Sequence, residues 1–338
     1  MLRRPVHRGC MTMTLTARGP EDLLAAVPVV LGFRPSESVV MLTFDARRTF
    51  HARVDLPPRD DLEDDLPVLS AALRDPCLVH AVGRVALVLY SADAALAGRV
   101  GVRLRADLEA VEIGVIDVLR AHEGRWWRVP SETSSEPGER ERSGRPYDDT
   151  SHPFAVQAVF DGQVTHASRD DLRGTLVPDV AAQERVRARL QRLGPAGVAE
   201  VTWVTEALGR WAETGADVDD DEAARVLRAV ARVDARDAAL FAVTRESARE
   251  HLRIWSGLLR RAPTEQVPVA AVLTAFAAWQ SGHGALAWCA LDRCFEVTPD
   301  HTLGRGLAEC LTRAVPPSAW GDAAGEAAGL SIPECETG

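Results

Sequence analysis

The chain has 338 residues, 46% of them hydrophobic and 26% charged, and a net charge of -10 at pH 7. That length suggests about two domains with ample apolar material for a core. The acidic balance argues against general affinity for nucleic acid or anionic lipid, and no apolar run nears the roughly 18 residues that suggest a membrane span.

All 39 residues counted as Lys or Arg are arginine, and asparagine is also absent. Without lysine there is no P-loop, no Schiff base and no Ser–Lys dyad. The six cysteines, Cys10, Cys77, Cys289, Cys294, Cys310 and Cys335, form no C-x-x-C and no Cys/His cluster with zinc spacing. No metal site and no cofactor is therefore expected. The thiols read as free and buried in a reducing compartment, which places the protein in the cytoplasm.

In chain order, residues 1–15 are basic but lack the apolar stretch of a secretory signal, and read as a disordered leader or a start-site artefact. PEDLLAAVPVVLG (20–32) reads as a short helix: Pro20 suits its first turn, Glu21 and Asp22 favour its N-terminus, and Gly32 suits the position after its end. Pro28 should kink or end it. SVVMLTF (38–44) is an apolar strand and FHARVDL (50–56) an alternating one, joined as a hairpin. Residues 61–74 read as a helix ended by Asp75-Pro76, 82–90 as a central strand apolar on both faces, about 93–109 as a helix capped by Ser91-Ala92-Asp93, and 111–120 as a further strand. A tight turn at His122-Glu123-Gly124 returns the chain as RWWRV (125–129). Residues 131–152, rich in Ser, Glu, Gly, Pro and Arg without periodicity, read as a mobile loop. Two short strands are expected at 154–160 and 163–167, around a turn at Asp161-Gly162.

From about residue 178 the pattern is helical, with helices near 197–213, 219–233, 235–243, 245–261, 267–281, 284–297 and 300–314. The expected fold is thus α+β: a mixed α/β domain with a mixed sheet over 16–175, then an all-helical domain over 176–318 and a flexible tail over 319–338. In the pair 267–281 and 284–297, Ala287, Leu291, Cys294 and Pro299 match the second half of a tetratricopeptide pattern. A helical hairpin of TPR-like packing is expected, but not a groove, which needs about three repeats.

LGFRPSESVV (31–40), ARVDLP (52–57), RPYDDTSHP (145–153) and the stretch 276–311 resemble the DUF4192 family, and the likeness covers nearly the whole chain after Gly19. The resemblance implies an actinobacterial lineage but no reaction, since the family's name records an unknown function. In that family the paired tryptophan is often followed by a cysteine-rich segment. Here Arg128 to Arg145 contains no cysteine, so no zinc ligand carries over.

The candidate site residues are Arg53, Asp55, Trp126, Trp127 and Tyr147. Alternation puts His51, Arg53 and Asp55 on one face of a strand, either as a polar site with Arg53 binding an anion or as a solvated Arg–Asp pair. Trp126 and Trp127 must point to opposite faces; one is core, and the other either stacks a ligand or lies under the 131–152 loop or the helical domain. A seam is the preferred reading. Ser91 and Asp93 open a helix after a strand, a place where ligands bind, yet both are good helix caps and no glycine-rich loop accompanies them. Asp219 to Glu222 reads as a helix cap, and the run Arg185, Arg187, Arg189 and Arg192 as a solvated face. The function expected is a cytosolic, non-catalytic module that binds a protein partner or small molecule; the alternative is an enzyme acting on a small anionic substrate through the Arg53/Asp55 face.

Overall fold

A computed structural model describes residues 16–47, 49–130 and 143–320. The expected leader (1–15), most of the expected loop (131–142) and most of the expected tail (321–338) lie outside these described residues.

The protein is α+β, with a six-stranded mixed sheet in its N-terminal half and helices after it. The strands are β1 (Ser38–Phe44), β2 (His51–Asp55), β3 (Arg84–Tyr90), β4 (Gly114–His122), β5 (Arg125–Arg128) and β6 (Arg145–Pro146), in the order β2-β1-β3-β4-β5-β6. β3 and β4 run parallel across a crossover through helix α3 (Ala94–Glu109), and every other neighbour is antiparallel. The continuous apolar runs of β1 and β3 fit their central place, since both faces of each strand are covered. On one face Val39, Met41, Leu87 and Leu89 meet α2 (Leu62–Val79) and α3. On the other, Val40, Leu42, Val88, Leu119 and Trp126 meet α1 (Pro20–Leu31).

Two sequence expectations are corrected here. Residues 154–160 are not a strand but lie in a helix, α4 (Pro153–Phe160). Pro153 occupies its first turn and the His152 ring accepts from the Phe154 N–H, a start signal that outweighs the strand preference of Phe and Val. Only one narrow stripe points inward: Ala158 is buried and Phe154 packs on the α1 face, while Val156, Val159 and Phe160 remain exposed. The apolar run was therefore not a sign of two-sided burial. Residues 163–167 form no strand; His166 makes a single bridge to Phe33, exchanging bonds with Gly32 and Arg34. A third adjustment concerns α2, which runs through Asp75-Pro76 to Val79 because Leu73, Pro76 and Cys77 are all buried against the sheet. Pro28 likewise sits inside α1, and Gly32 closes that helix at φ 78° as expected.

The helices that follow are α5 (Arg169–Gly174), α6 (Val180–Leu190), α7 (Ala199–Thr214), α8 (Asp220–Ala229), α9 (Val233–Phe241), α10 (Ala248–Arg261), α11 (Val267–Gln280), α12 (Gly284–Val297) and α13 (Thr302–Thr312). They surround α11, which is buried at nearly every position, and share a core centred on Trp211, Trp255 and Leu273. Phe33, from the segment after α1, inserts into that core. Asp219 caps α8 in a full capping box with Glu222, and Asp220 and Asp221 pair with Arg185 and Arg189 of α6. The acidic cluster and the arginine run thus largely satisfy each other.

Candidate ligand-binding cleft

The sequence-predicted residues do not come together. Arg53 and Asp55 pair at 2.6 Å on the edge strand β2. Arg169 of α5 lies 3.8 Å from Asp55 and 3.7 Å from Asp292 of α12, and the Arg53 guanidinium sits over the Phe33 ring. His80 Nε2 meets the Arg313 carbonyl at 3.2 Å. This face is where the sheet meets the helical half. His51, beside it, is half-buried, and its shielded Nδ1 has no partner among the described residues. Burial pushes its pKa down to about 4.

The tryptophans do take opposite faces, as the period of a strand requires. Trp126 is 3% exposed and belongs to the core beneath α1. Trp127 is half-buried and packs against its cross-strand neighbour Arg120, whose guanidinium carbon lies 4.3 Å from the ring centroid. Its other flank is Gly144, where a Cβ would fall 2.4 Å from the indole. That approach, with φ 71° at Gly144, demands glycine. Trp127 is therefore covered from the sheet side by Arg120 and from the returning chain by Gly144.

A concavity of about 220 Å³ lies elsewhere, at the carboxyl ends of β3 and β4. This is the position at which open α/β sheets bind ligands. Its floor is Tyr90, Ser91 and Ala121; its walls include Arg34, Glu37, Glu123, Tyr147 and Asp149. The chain has two tyrosines in all, and both line this cleft.

Local structure places each side chain. Tyr90 ends β3, and its hydroxyl is buried without a hydrogen-bond partner among the described residues. Tyr147 is carried in by strand pairing: β6 adds to β5, and the Tyr147 N–H then donates to the Gly124 carbonyl at 2.9 Å. Asp149 follows and accepts from Arg34 Nε at 3.1 Å, tying the segment after α1 to the segment after β6. Asp148 turns the chain between them by accepting from Thr150 and Ser151, which hold its carboxyl far below the usual range. Glu37 adopts φ 35°, uncommon for a side chain larger than glycine. The turn brings its carboxylate under the β3–α3 connection, where it accepts from Ser91 Oγ at 2.8 Å and the Ala92 N–H at 3.1 Å. Arg120 donates to the Ser91 and Ala92 carbonyls from the other side, at 3.0 and 2.9 Å. The turn is thus clamped between an anion and a cation, and the cation is backed by Trp127.

Both phenols are held neutral. Burial raises the Tyr90 pKa well above normal, with smaller contributions from Tyr147 and the Asp149 charge. Burial likewise pushes Tyr147 up to about 12, again helped by Asp149. Asp93 uses Oδ1 to cap α3 through the Ala95 and Leu96 N–H groups, and its other oxygen pairs with Arg59. The helix N-terminus is therefore filled by a carboxylate, which disfavours a phosphate there. Among the described residues no group of three His, Cys, Asp or Glu side chains could hold a metal ion.

Of the expected site residues, then, Tyr147 lines the cleft, Trp127 acts behind it, and Trp126, Arg53 and Asp55 stand away from it. Ser91 lines it while Asp93 caps the adjoining helix. Arg34, Glu37, Tyr90, Glu123 and Asp149 carried no periodic signal. The pairing of just two tyrosines with two strand ends was the cue that could have found them. A separate apolar pocket of about 60 Å³ in the helical half is lined by Val272, Phe276, Trp279 and Trp320 among others, and is far smaller than the roughly 150 Å³ that admits benzene.

The segments that carried the family resemblance, 31–40 and 145–153, meet at the Arg34–Asp149 pair and together form much of the cleft wall. No curated protein matches the chain, and no solved structure matches it. The model of one family, described as a domain of unknown function, matches residues 20–318, and the chain accordingly belongs to the DUF4192 family.

Proposed function

We propose that the protein is a non-catalytic binding module for a small polar molecule seated in the cleft at the ends of β3 and β4. One observation carries the reading: the Tyr90 hydroxyl is buried, lacks a partner among the described residues, and belongs to a residue lining a polar concavity. An unpaired buried hydroxyl costs about 1–3 kcal/mol, which a ligand atom would relieve. The absence of an activated nucleophile favours binding over chemistry. Ser91 Oγ is engaged on both sides, donating to Glu37 and accepting from the Asp93 N–H. Free buried thiols at Cys77, Cys289 and Cys294 favour a reducing, cytoplasmic setting. A protein partner is a second reading, favoured by the exposed Val156, Val159 and Phe160 on α4.

Native mass spectrometry of protein purified from its own host tests the first reading. Wild type should retain a small molecule that Tyr147→Phe or Tyr90→Phe releases. A wild-type protein of bare polypeptide mass, with no thermal shift across a metabolite panel, would refute it.

A further inference from the structure

We infer that the molecule bound in the cleft carries a cationic nitrogen, an ammonium or a guanidinium, whose N–H groups face Glu37, Glu123 and the Tyr90 phenol oxygen. The inference rests on the cleft being a binding site and adds the charge of its occupant.

The lining contains three carboxylates, Glu37, Glu123 and Asp149, against one guanidinium, Arg34, and the His122 imidazole, whose Nε2 lies 3.7 Å from Glu123 and offsets its charge only when protonated. Arg34 and Asp149 face each other at 3.1 Å and cancel. Asp93 and Arg59, just outside, also pair and cancel. Glu37 and Glu123 remain. The opposing Arg120 lies behind the β3–α3 turn, with its donors committed to the Ser91 and Ala92 carbonyls. A cation that binds here meets carboxylates directly and Arg120 only through the turn. Glu37 accepts one hydrogen bond at each oxygen, both from neutral donors, so its charge is not neutralised by an ion pair and each oxygen retains acceptor capacity.

The second observation is independent of the acidic residues. Tyr90 is buried, its hydroxyl has no partner among the described residues, and its electrostatic neighbours are Tyr147 and Asp149, both in the same lining. A neutral phenol oxygen accepts from an ammonium as readily as its O–H donates elsewhere. Aromatic rings beside carboxylates also favour a cation, because the ring face is electronegative. Tyr90 and Tyr147 supply such rings, and Pro28 and Pro35 complete the apolar part of the wall. An anionic occupant would face the same two carboxylates without a free counter-charge. A volume of about 220 Å³ has room for a small amine.

The full-length protein would be titrated calorimetrically with three probes: agmatine as the cation, succinate as the anion and glucose as the neutral polyol. Glu123 is exposed at the cleft mouth, so Glu123→Gln removes a charge without disturbing packing, and Tyr90→Phe keeps the ring and removes the hydroxyl. Agmatine should bind wild type, and each substitution should weaken it by about five-fold, the effect of roughly 1 kcal/mol from an exposed charge or a single hydrogen bond. Binding of succinate or glucose in preference to agmatine, lost in Tyr147→Phe, would overturn the cation assignment while leaving the cleft as a binding site. Equal agmatine affinity in wild type and the double variant, or no agmatine binding at all, would also overturn it. A native ligand released by Tyr147→Phe that lacks a cationic nitrogen would do the same.

Discussion

Truncating the two adjacent tryptophans one at a time should give unequal losses, because the strand sends them into different environments. Trp126 is 3% exposed and packs with Leu119, Ala121 and the buried residues of α1. Removing an aromatic ring from such a site costs about 3–5 kcal/mol. The indole N–H has no hydrogen-bond partner among the described residues, so that loss is packing together with the contact of the Arg145 guanidinium, 5.3 Å from the ring centroid. Trp126→Phe keeps most of the ring and removes an unpaired donor, and should therefore cost no more than about 1–2 kcal/mol. Trp127 is half-buried and packs against a guanidinium and a glycine. Losing a cation–π contact of about 0.5–1 kcal/mol and part of the buried area should cost about 1–2 kcal/mol in Trp127→Ala.

Urea unfolding followed by far-UV circular dichroism separates these values, with the slope checked for constancy so that a midpoint shift reports stability. At about 2–4 °C per kcal/mol for a unit of this size, Trp126→Ala should melt roughly 6–20 °C lower. Trp127→Ala should melt only a few degrees lower, yet bind the cleft ligand less well, because Arg120 would lose its backing and the β3–α3 turn its clamp. Equal losses for the two alanine variants would refute the division of roles. So would a Trp126→Ala protein with the wild-type midpoint.

Three further outcomes follow from the geometry. His51 and His251 are each held near a pKa of about 4 by burial, against about 6.5 when unfolded. The unfolded chain therefore takes up protons first, so stability is full above about pH 6.5 and falls by up to about 3 kcal/mol per histidine between about pH 6.5 and 4. Urea titrations at pH 7.5 and 4.5 should show that slope, and His51→Leu should flatten it; an unchanged slope would place the effect elsewhere. Gly144→Ala combines a left-handed backbone with a Cβ 2.4 Å from the Trp127 ring, so it should cost at least about 1–2 kcal/mol and alter the near-UV tryptophan signal. Asp219→Ala removes the side-chain half of the capping box on α8, the bonds to the Asp221 and Glu222 N–H groups, and should cost about 1 kcal/mol by chemical unfolding, with cleft binding unchanged.

What the sequence revealed was local. Unbroken apolar runs marked β1 and β3 because two-sided burial leaves no polar face, and alternation marked β2 because it lies at an edge. Asp93, Asp219 and Gly32 announced helix ends through chemistry confined to a few residues. The reading failed at α4, where one-sided burial of a short helix produced the composition of a strand. The six-residue α5 went unnoticed because it is too brief to show a period. The cleft was hidden for a different reason. Arg34 and Asp149 are separated by 115 positions, and nothing near either one records the other. Alternation correctly put Arg53 and Asp55 on one face, but which face the helical half would cover is a property of tertiary packing.

The walls of the cleft are nonetheless fixed by ordinary secondary structure. Tyr90 is held by the end of a central strand, Tyr147 by its pairing beyond β5, and Glu37 by two hydrogen bonds to the turn after β3. Arg120 holds that turn from behind, and Trp127 and Gly144 hold Arg120 in place. A ligand entering such a site has few side chains to order, so little of its binding energy is lost to immobilisation. The strained Glu37 backbone and the unpaired Tyr90 hydroxyl point the same way: each costs the free protein stability, and each is placed where a bound molecule would gain from it. Of the Trp-Trp pair, one ring is thus core beneath α1 and the other backs the guanidinium that holds the β3–α3 turn.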